Sequence, residues 1–281
     1  MPELPEVETI RRVLEKDATG CKITKVFLRK TRMIRGQSAL FCKKGLFNRH
    51  ILKVDRRGKY LIFRLDKKTF LAHLGMSGQI ICFSENNITG NRSFFLPDKH
   101  THLILWLNNG RTLYFRDPRM FGRYILLNSE EENILLSKLG PEPLGPLFTP
   151  AGFYQNLRGR TASIKALLLN QKIVAGLGNI YVDESLYRAG IHPATIGECI
   201  SKKRVEGLCE SIKSVIIEAV NAGGTSISDF KDPEQRTGNY QHHLRVYGRK
   251  GKACFLCGTP IIKENLAQRG THWCPQCQKY Y

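Results

Sequence analysis

Pro2 and Glu3 put a secondary amine beside a carboxylic acid at the start of a chain that opens Met1-Pro2-Glu3-Leu4-Pro5-Glu6. An initiator methionine is normally removed in front of a residue as small as proline, which would leave the Pro2 nitrogen as a free amine. An α-amino group has a reference pKa near ~8, against ~10.4 for a lysine side chain, so roughly a tenth of it is neutral at pH 7. The neutral form is the nucleophile, and amines attack carbonyl-like carbons to give Schiff bases. Pro2 and Pro5 also suit a plain helix start, which is the competing reading of the same residues.

A second cluster lies at the other end. Cys254 and Cys257 form one C-x2-C pair, and Cys274 and Cys277 form another. Four thiolates at this spacing suit a closed tetrahedral Zn²⁺ site, with no position left open for water, so the metal is expected to be structural. Two disulfides are the alternative, disfavoured in a reducing compartment. His272 lies near the second pair but is superfluous as a ligand. A β-like stretch around 259–262 joins the pairs, and Gln268-Arg269-Gly270-Thr271 reads as a hairpin tip. An arginine there is placed to reach a phosphate or a groove, a solvated loop arginine being the alternative. The remaining cysteines, Cys21, Cys42, Cys82, Cys199 and Cys209, read as small buried hydrophobes.

Four motifs lie between these ends. Arg56-Arg57-Gly58-Lys59-Tyr60 leads into a strand and puts Lys59 within reach of a phosphate or an intermediate, unless it is a solvated turn. His73-Leu74-Gly75-Met76-Ser77-Gly78 carries a methionine between glycines. At a turn tip Met76 could fill the space left by a base pushed out of a duplex, or it could be core filler. Asp117-Pro118-Arg119-Met120-Phe121-Gly122 offers a guanidinium and an aromatic ring two residues apart, hence on one side of an extended segment. Gly176-Leu177-Gly178-Asn179 precedes a helix, where backbone N–H groups bind phosphate.

The elements that must hold these residues follow from periodicity and composition. Residues 5–17 read as a helix, with Val7, Ile10, Val13 and Leu14 at helical spacing. Residues 22–126 read as short strands with turn signals, including a hairpin turned at Asn108-Asn109-Gly110, which implies a sandwich or barrel. Leu139-Gly140-Pro141-Glu142-Pro143-Leu144-Gly145-Pro146 reads as a linker. Helices are expected at 151–158, 162–170, 180–189 and 201–222, and 229–242 reads as a mobile polar loop. The 281 residues carry 44 Lys+Arg against 24 Asp+Glu, a net charge of +20. Such an excess attracts polyanions, of which nucleic acid is the commonest in a cell. An acidic membrane surface competes, but the chain carries no long apolar run, amphipathic anchor or secretory signal. A soluble, cytoplasmic protein is expected.

Taken in order, these motifs resemble those of the bacterial formamidopyrimidine-DNA glycosylases, which excise oxidised purines. The resemblance extends through Ala189-Gly190-Ile191-His192-Pro193 and Val246-Tyr247-Gly248-Arg249 and runs nearly end to end. It implies an α+β fold: an N-terminal β-sandwich with an N-terminal helix, then a helix-two-turns-helix domain with a C-terminal four-cysteine zinc finger. The implied domains are 1–135 for the catalytic sandwich, 136–150 for the linker, 151–242 for the helical DNA-binding domain and 247–281 for the finger. DNA containing an oxidised base, such as 8-oxoguanine or a formamidopyrimidine, would lie between the domains of a monomer holding one zinc ion. Pro2 would attack C1′ of the damaged nucleoside, with Glu3 transferring a proton. Lys59 and Arg269 would serve the β- and δ-elimination steps. Met76, Arg119 and Phe121 would fill the gap and hold the opposite cytosine, while His100, Arg119 and Asn179 would contact DNA. Arg160 stands where the family often has a lysine near the phosphates. The loop 229–242 departs most from the family. Two other readings remain: an endonuclease VIII-like enzyme for oxidised pyrimidines, which Leu4 argues against, and a non-catalytic zinc-ribbon binder of damaged DNA, for which Pro2, Glu3 and Lys59 have no use.

Overall fold

Val7, Ile10 and Leu14 form, with Leu4 and Ala18, the buried stripe of α1 (Leu4–Ala18). An apolar stripe at this spacing must be covered by other elements. Pro5 falls in the first turn, where no intrahelical N–H bond is lost. The computed structural model describes residues 2–29, 31–34, 36–84, 97–226 and 230–281. The chain forms two compact units: Met1–Ser137 with Gly223–Gly238, and Lys138–Ala222 with Asn239–Tyr281.

The first unit contains β1 (Ile23–Leu28), β2 (Ile51–Arg57), β3 (Tyr60–Leu65), β4 (Thr69–His73), β5 (Gln79–Ser84), β6 (Thr101–Leu107), β7 (Arg111–Arg116) and β8 (Arg123–Leu127). They make two four-stranded sheets, ordered β1-β6-β7-β5 and β2-β3-β4-β8, with every neighbouring pair antiparallel. One core cluster draws on both sheets. Leu61, Phe63, Phe70 and Tyr124 come from one sheet, and Leu103, Leu105, Leu113 and Phe115 from the other. The Phe115 ring stands edge-on to Phe70 at 6.0 Å and to Tyr124 at 5.4 Å, bridging the layers. The result is a β-sandwich.

Two features depart from the sequence reading. The strand-like stretch 22–126 also contains α2 (Ala39–Leu46), capped by Ser38, whose Oγ accepts from the Phe41 N–H at 3.1 Å. Two turns of helix bury only Cys42, Gly45 and Leu46, too few residues to show a 3.6 period. A second short helix, α3 (Ser129–Leu136), follows β8. The lone cysteines are buried as expected except Cys199, which is exposed.

The second unit packs α4 (Pro150–Leu157), α5 (Ile164–Leu169), α6 (Asn179–Arg188) and α7 (Lys202–Asn221), followed by the hairpin β9 (Ile262–Leu266) and β10 (Arg269–Trp273). Val205, Leu208, Ile212, Val215, Ile216 and Ala219 form the buried face of α7. The Pro/Gly-rich stretch after 138 is docked onto this unit. The Gly140 N–H donates to the Gln171 carbonyl at 2.8 Å, and the Ala175 N–H to the Pro141 carbonyl at 3.0 Å. A Cβ on Gly140 would stand 2.6 Å from backbone atoms of Lys172 and Ile173, so only glycine fits. Among the described residues no helix is long and apolar enough to cross a membrane.

Residues 230–242 correct the expectation of a mobile loop; Asp229 lies outside the described residues. The Cys82 N–H of edge strand β5 donates to the Pro233 carbonyl at 2.9 Å. Phe230 packs on the sandwich core. Asp232 accepts from the Arg236 backbone N–H at 2.9 Å and from its Nε at 2.7 Å. Polar composition identified a loop, but long-range partners pin it.

Candidate active site and nucleic-acid interface

Glu3 is the N-cap of α1 and shares a capping box with Glu6, whose Oε2 accepts the Glu3 N–H at 2.8 Å. The other Glu6 oxygen accepts the Thr225 N–H at 2.7 Å. One buried carboxylate therefore ties the Pro2-Glu3 end to the segment 223–238. Gly224 permits this approach: it has φ of +83°, and a Cβ there would stand 2.9 Å from Glu6 Oε1. The role of Glu6 was missed in the sequence, although its position three residues after Glu3 is the capping-box spacing.

A second link joins α1 to the β2–β3 turn. Glu8 Oε2 accepts from Arg56 Nε at 3.1 Å, and Arg56 Nη1 donates to the Gly58 carbonyl at 3.0 Å. Two cations beside Glu8, Arg11 and Arg56, hold its carboxyl below the usual range despite the opposing cost of burial. Arg57 pairs with Tyr60 across a two-residue turn, with Gly58 at φ of +56°. That turn presents Lys59, which is buried. The residues suspected of chemistry, Pro2, Glu3 and Lys59, thus sit on elements cross-braced by Glu8 and Arg56.

Lys59 also acts on His73. Burial, with repulsion from Lys59 and Arg123, pushes the His73 imidazole down to about 4. Its Nδ1 accepts the Gly75 N–H at 3.1 Å, which requires that nitrogen to be unprotonated. The unfolded chain binds a proton near pH 6.5 that the fold refuses until about pH 4. This contribution to stability is therefore complete above pH 6.5 and is lost as pH falls toward 4. Between about pH 7 and 4.5 the unfolding free energy is expected to drop by about 2–3 kcal/mol through this group. Urea titrations of wild type and His73→Gln should diverge in that window, the variant having the flatter pH profile.

The Met76 turn and the 117–122 turn form one cluster around Asp117, which is fully buried. Asp117 Oδ1 accepts from Ser77 Oγ at 2.5 Å and from the Arg119 N–H at 3.2 Å, and its Oδ2 accepts from the Gly122 N–H at 2.7 Å. The Asp117 N–H donates to the His100 carbonyl at 2.9 Å. Gly75, at φ of +63°, packs backbone to backbone on Phe121, where a Cβ would meet the carbonyl carbon at 2.5 Å. Met76, His100, Arg119 and Phe121 are thereby brought together. Met76 is 42% exposed and Phe121 44%, so neither is core filler. The expected extended segment is corrected. Residues 117–120 turn, with the Met120 N–H bonded to the Asp117 carbonyl and Met120 at φ of +53°. The turn still lays the Arg119 guanidinium 4.8 Å from the Phe121 ring. Asp117→Ala would strand three donors and is expected to cost about 3 kcal/mol or more in a denaturant melt, while Asp117→Asn recovers part of it.

The four finger cysteines place their sulfurs within 4.8 Å of one another. Cys254–Cys277 Sγ atoms are 3.8 Å apart and Cys257–Cys274 atoms 3.5 Å. A tetrahedron of Zn–S bonds of ~2.3 Å has edges of ~3.8 Å, whereas a disulfide is ~2.05 Å, so the cage fits zinc. The Tyr187 hydroxyl lies 3.2 Å from Cys254 Sγ and orients it. The hairpin tip is Ala267-Gln268, both at positive φ, and Arg269 is the exposed first residue of the returning strand. The expected tip, 268–271, is shifted because the register pairs Arg269 with Leu266.

Asn179 opens α6 and donates through Nδ2 to the Gly270 carbonyl at 2.8 Å, so part of its hydrogen bonding holds the hairpin. The glycines before it are buried, and the Gly176 N–H donates to Gln171 Oε1 at 2.8 Å. The Gly176 N–H is thereby committed to Gln171. Arg160 is exposed, with Nε bonded to the Asn156 carbonyl at 2.7 Å.

A β-sandwich bearing the Pro2-Glu3 helix start, a helical unit and a four-sulfur finger are together the parts of one class of DNA-repair fold. Three family models match in that order: "Formamidopyrimidine-DNA glycosylase N-terminal domain" over 1–124, "Formamidopyrimidine-DNA glycosylase H2TH domain" over 139–231, and "Zinc finger found in FPG and IleRS" over 251–279. Formamidopyrimidine-DNA glycosylases of Nitrosococcus oceani and Latilactobacillus sakei are 41% and 42% identical, each over 99% of this chain and 100% and 98% of their own. The chain belongs to the formamidopyrimidine-DNA glycosylase family. The crystal structure of the MutM (Fpg) protein from Thermus thermophilus superposes with a TM-score of 0.87 at 39% identity, covering 100% of both chains. The Lactococcus lactis Fpg in complex with abasic-site-containing DNA gives 0.89 at 38%, covering 99% of each. The four-cysteine finger is a structural zinc site.

Proposed function

We propose that this protein is a bifunctional DNA glycosylase and AP lyase of base excision repair that removes oxidised purines from duplex DNA in the bacterial cytoplasm, as a monomer. The observation that carries the reading is the Pro2-Glu3 end of α1, held by Glu6 and braced through Glu8 and Arg56 to the turn bearing Lys59. In this reading the Pro2 nitrogen attacks C1′, the base leaves, and an iminium forms. Glu3 exchanges a proton with the sugar. The iminium acidifies the C2′ proton, so the 3′ phosphate and then the 5′ phosphate can be eliminated, assisted by Lys59 and Arg269 respectively. Met76, Arg119 and Phe121 occupy the gap left by the extruded nucleotide and hold the opposite cytosine. His100, Asn179 and Arg160 contact the backbone, drawing on the net charge of +20. Residues 1–135 supply Pro2, Glu3 and Lys59, 136–150 the connection, 151–242 further DNA contacts, and 247–281 Arg269 on the zinc finger.

Borohydride trapping tests this. The protein is mixed with duplex carrying 8-oxoguanine opposite cytosine, or thymine glycol, and reduced. A covalent adduct with the purine lesion alone supports the proposal. An adduct with the pyrimidine lesion alone moves the specificity to the endonuclease VIII type, and binding without any adduct removes the catalytic reading.

A further inference from the structure

We infer that Asp183 is a positioning residue that sets the register of the zinc hairpin, and with it Arg269, through a buried ion pair with Lys165. The inference rests on the role proposed for Arg269. Asn179 and Asp183 lie one turn apart on the same face of α6. Gly270 and His272 lie two apart on β10, on the edge not paired to β9. Asn179 Nδ2 donates to the Gly270 carbonyl at 2.8 Å, and the His272 N–H donates to Asp183 Oδ2 at 2.8 Å. Two helix side chains thus supply the donor and the acceptor that a third strand would have offered. A slip of one residue would reverse every side chain of β10, so these two bonds specify where Arg269 emerges.

The other oxygen of Asp183 accepts from Lys165 Nζ of α5 at 2.6 Å, and both side chains are wholly buried. Such a pair is weak as a source of stability, because an apolar pair of the same volume avoids the desolvation of two charges. It does fix direction: the ammonium holds one oxygen, which aims the other at a backbone N–H. The His272 ring nitrogen, at 3.6 Å from Oδ2, is too far to share that role.

The test uses zinc-loaded full-length protein as wild type, Asp183→Ala, Asp183→Asn and the apolar double variant Lys165→Met/Asp183→Leu. Duplex with an abasic site is cut under single turnover, and the gel separates β- from δ-elimination ends. Borohydride trapping reports Pro2 separately. The double variant is expected to keep its zinc and melt within a few degrees of wild type, the stranded His272 N–H offsetting the relief of two buried charges, yet show a δ/β ratio at least about tenfold lower with trapping preserved within about threefold. Asp183→Asn, which can still accept the His272 N–H, should restore part of the ratio. Amide exchange across 269–273 should accelerate at least about tenfold in Asp183→Ala with zinc retained. An unchanged δ/β ratio with unchanged exchange in the double variant overturns the inference. Absence of any trapped adduct in wild type would instead defeat the proposed function, while faster exchange in the variants would still place Asp183 as the hairpin's anchor.

Discussion

Replacing Pro2 with glycine is expected to lower single-turnover excision of 8-oxoguanine by at least about 10²-fold and to leave binding of an uncleavable abasic-analogue duplex within about threefold. Glycine keeps a terminal amine, so the loss is not the removal of nitrogen. Proline fixes φ near ~−65° and so limits where the nitrogen points, whereas a terminal glycine samples many directions. A misplacement of ~1 Å in a reacting group costs ~10²-fold. Proline also forms an iminium that carries its positive charge without a further protonation. The helix tolerates the change, because Pro2 precedes the Glu3 cap and the Glu6 bonds go to the Glu3 and Thr225 backbone. Blocking the amine by acetylation should cost far more, on the order of 10⁵-fold or more, as expected when a nucleophile is removed outright. Equal turnover of the glycine variant would place the nucleophile elsewhere, with Lys59 the next candidate.

Stripping the zinc is expected to weaken duplex binding by at least about tenfold at about 0.1 M salt and to flatten the salt dependence by about one unit of slope for each phosphate no longer engaged. The finger, 247–281, carries six cations against one carboxylate. Its own core is small: Val246, Cys254, Ile261 and Cys274 with Tyr187. So little apolar area cannot hold a hairpin whose turn puts Ala267 and Gln268 at positive φ. Structural zinc supplies on the order of 10 kcal/mol or more to such modules. Without it, the thiols take their protons back, nothing bridges the two C-x2-C pairs, and the strands part. A chromophoric chelator should count one zinc released per chain when the thiols are titrated, in step with the fall in affinity. Verified metal removal with unchanged affinity would separate the finger from DNA binding.

Much of the candidate site was legible because its residues announce chemistry by type and spacing. The two C-x2-C pairs, the Pro-Glu start and the Gly-flanked Met76 all stand in short segments whose signal is local. The helices at 150–157, 179–188 and 202–221 were legible for the same reason, since an apolar stripe over two or more turns, bounded by turn residues, is a periodic pattern. The helix α2 was not, because it buries too few residues and sits among strands. The turn at 117–120 was misjudged as extended because Met120 adopts positive φ, which its side chain does not advertise.

By itself the sequence determined which chemistries are available and roughly which elements carry them, because ionisable and metal-binding groups and apolar periods are properties of residues and near neighbours. Only the tertiary structure decided which carboxylates organise the site: Glu6 joining residues 219 positions apart, Asp117 gathering two turns, and Asp183 linking α5, α6 and the hairpin. Each of these bonds is made to a backbone N–H or to a partner remote in the chain. A backbone N–H is present at every residue but proline, so nothing in the side-chain pattern marks which ones a folded chain will bring to a buried oxygen.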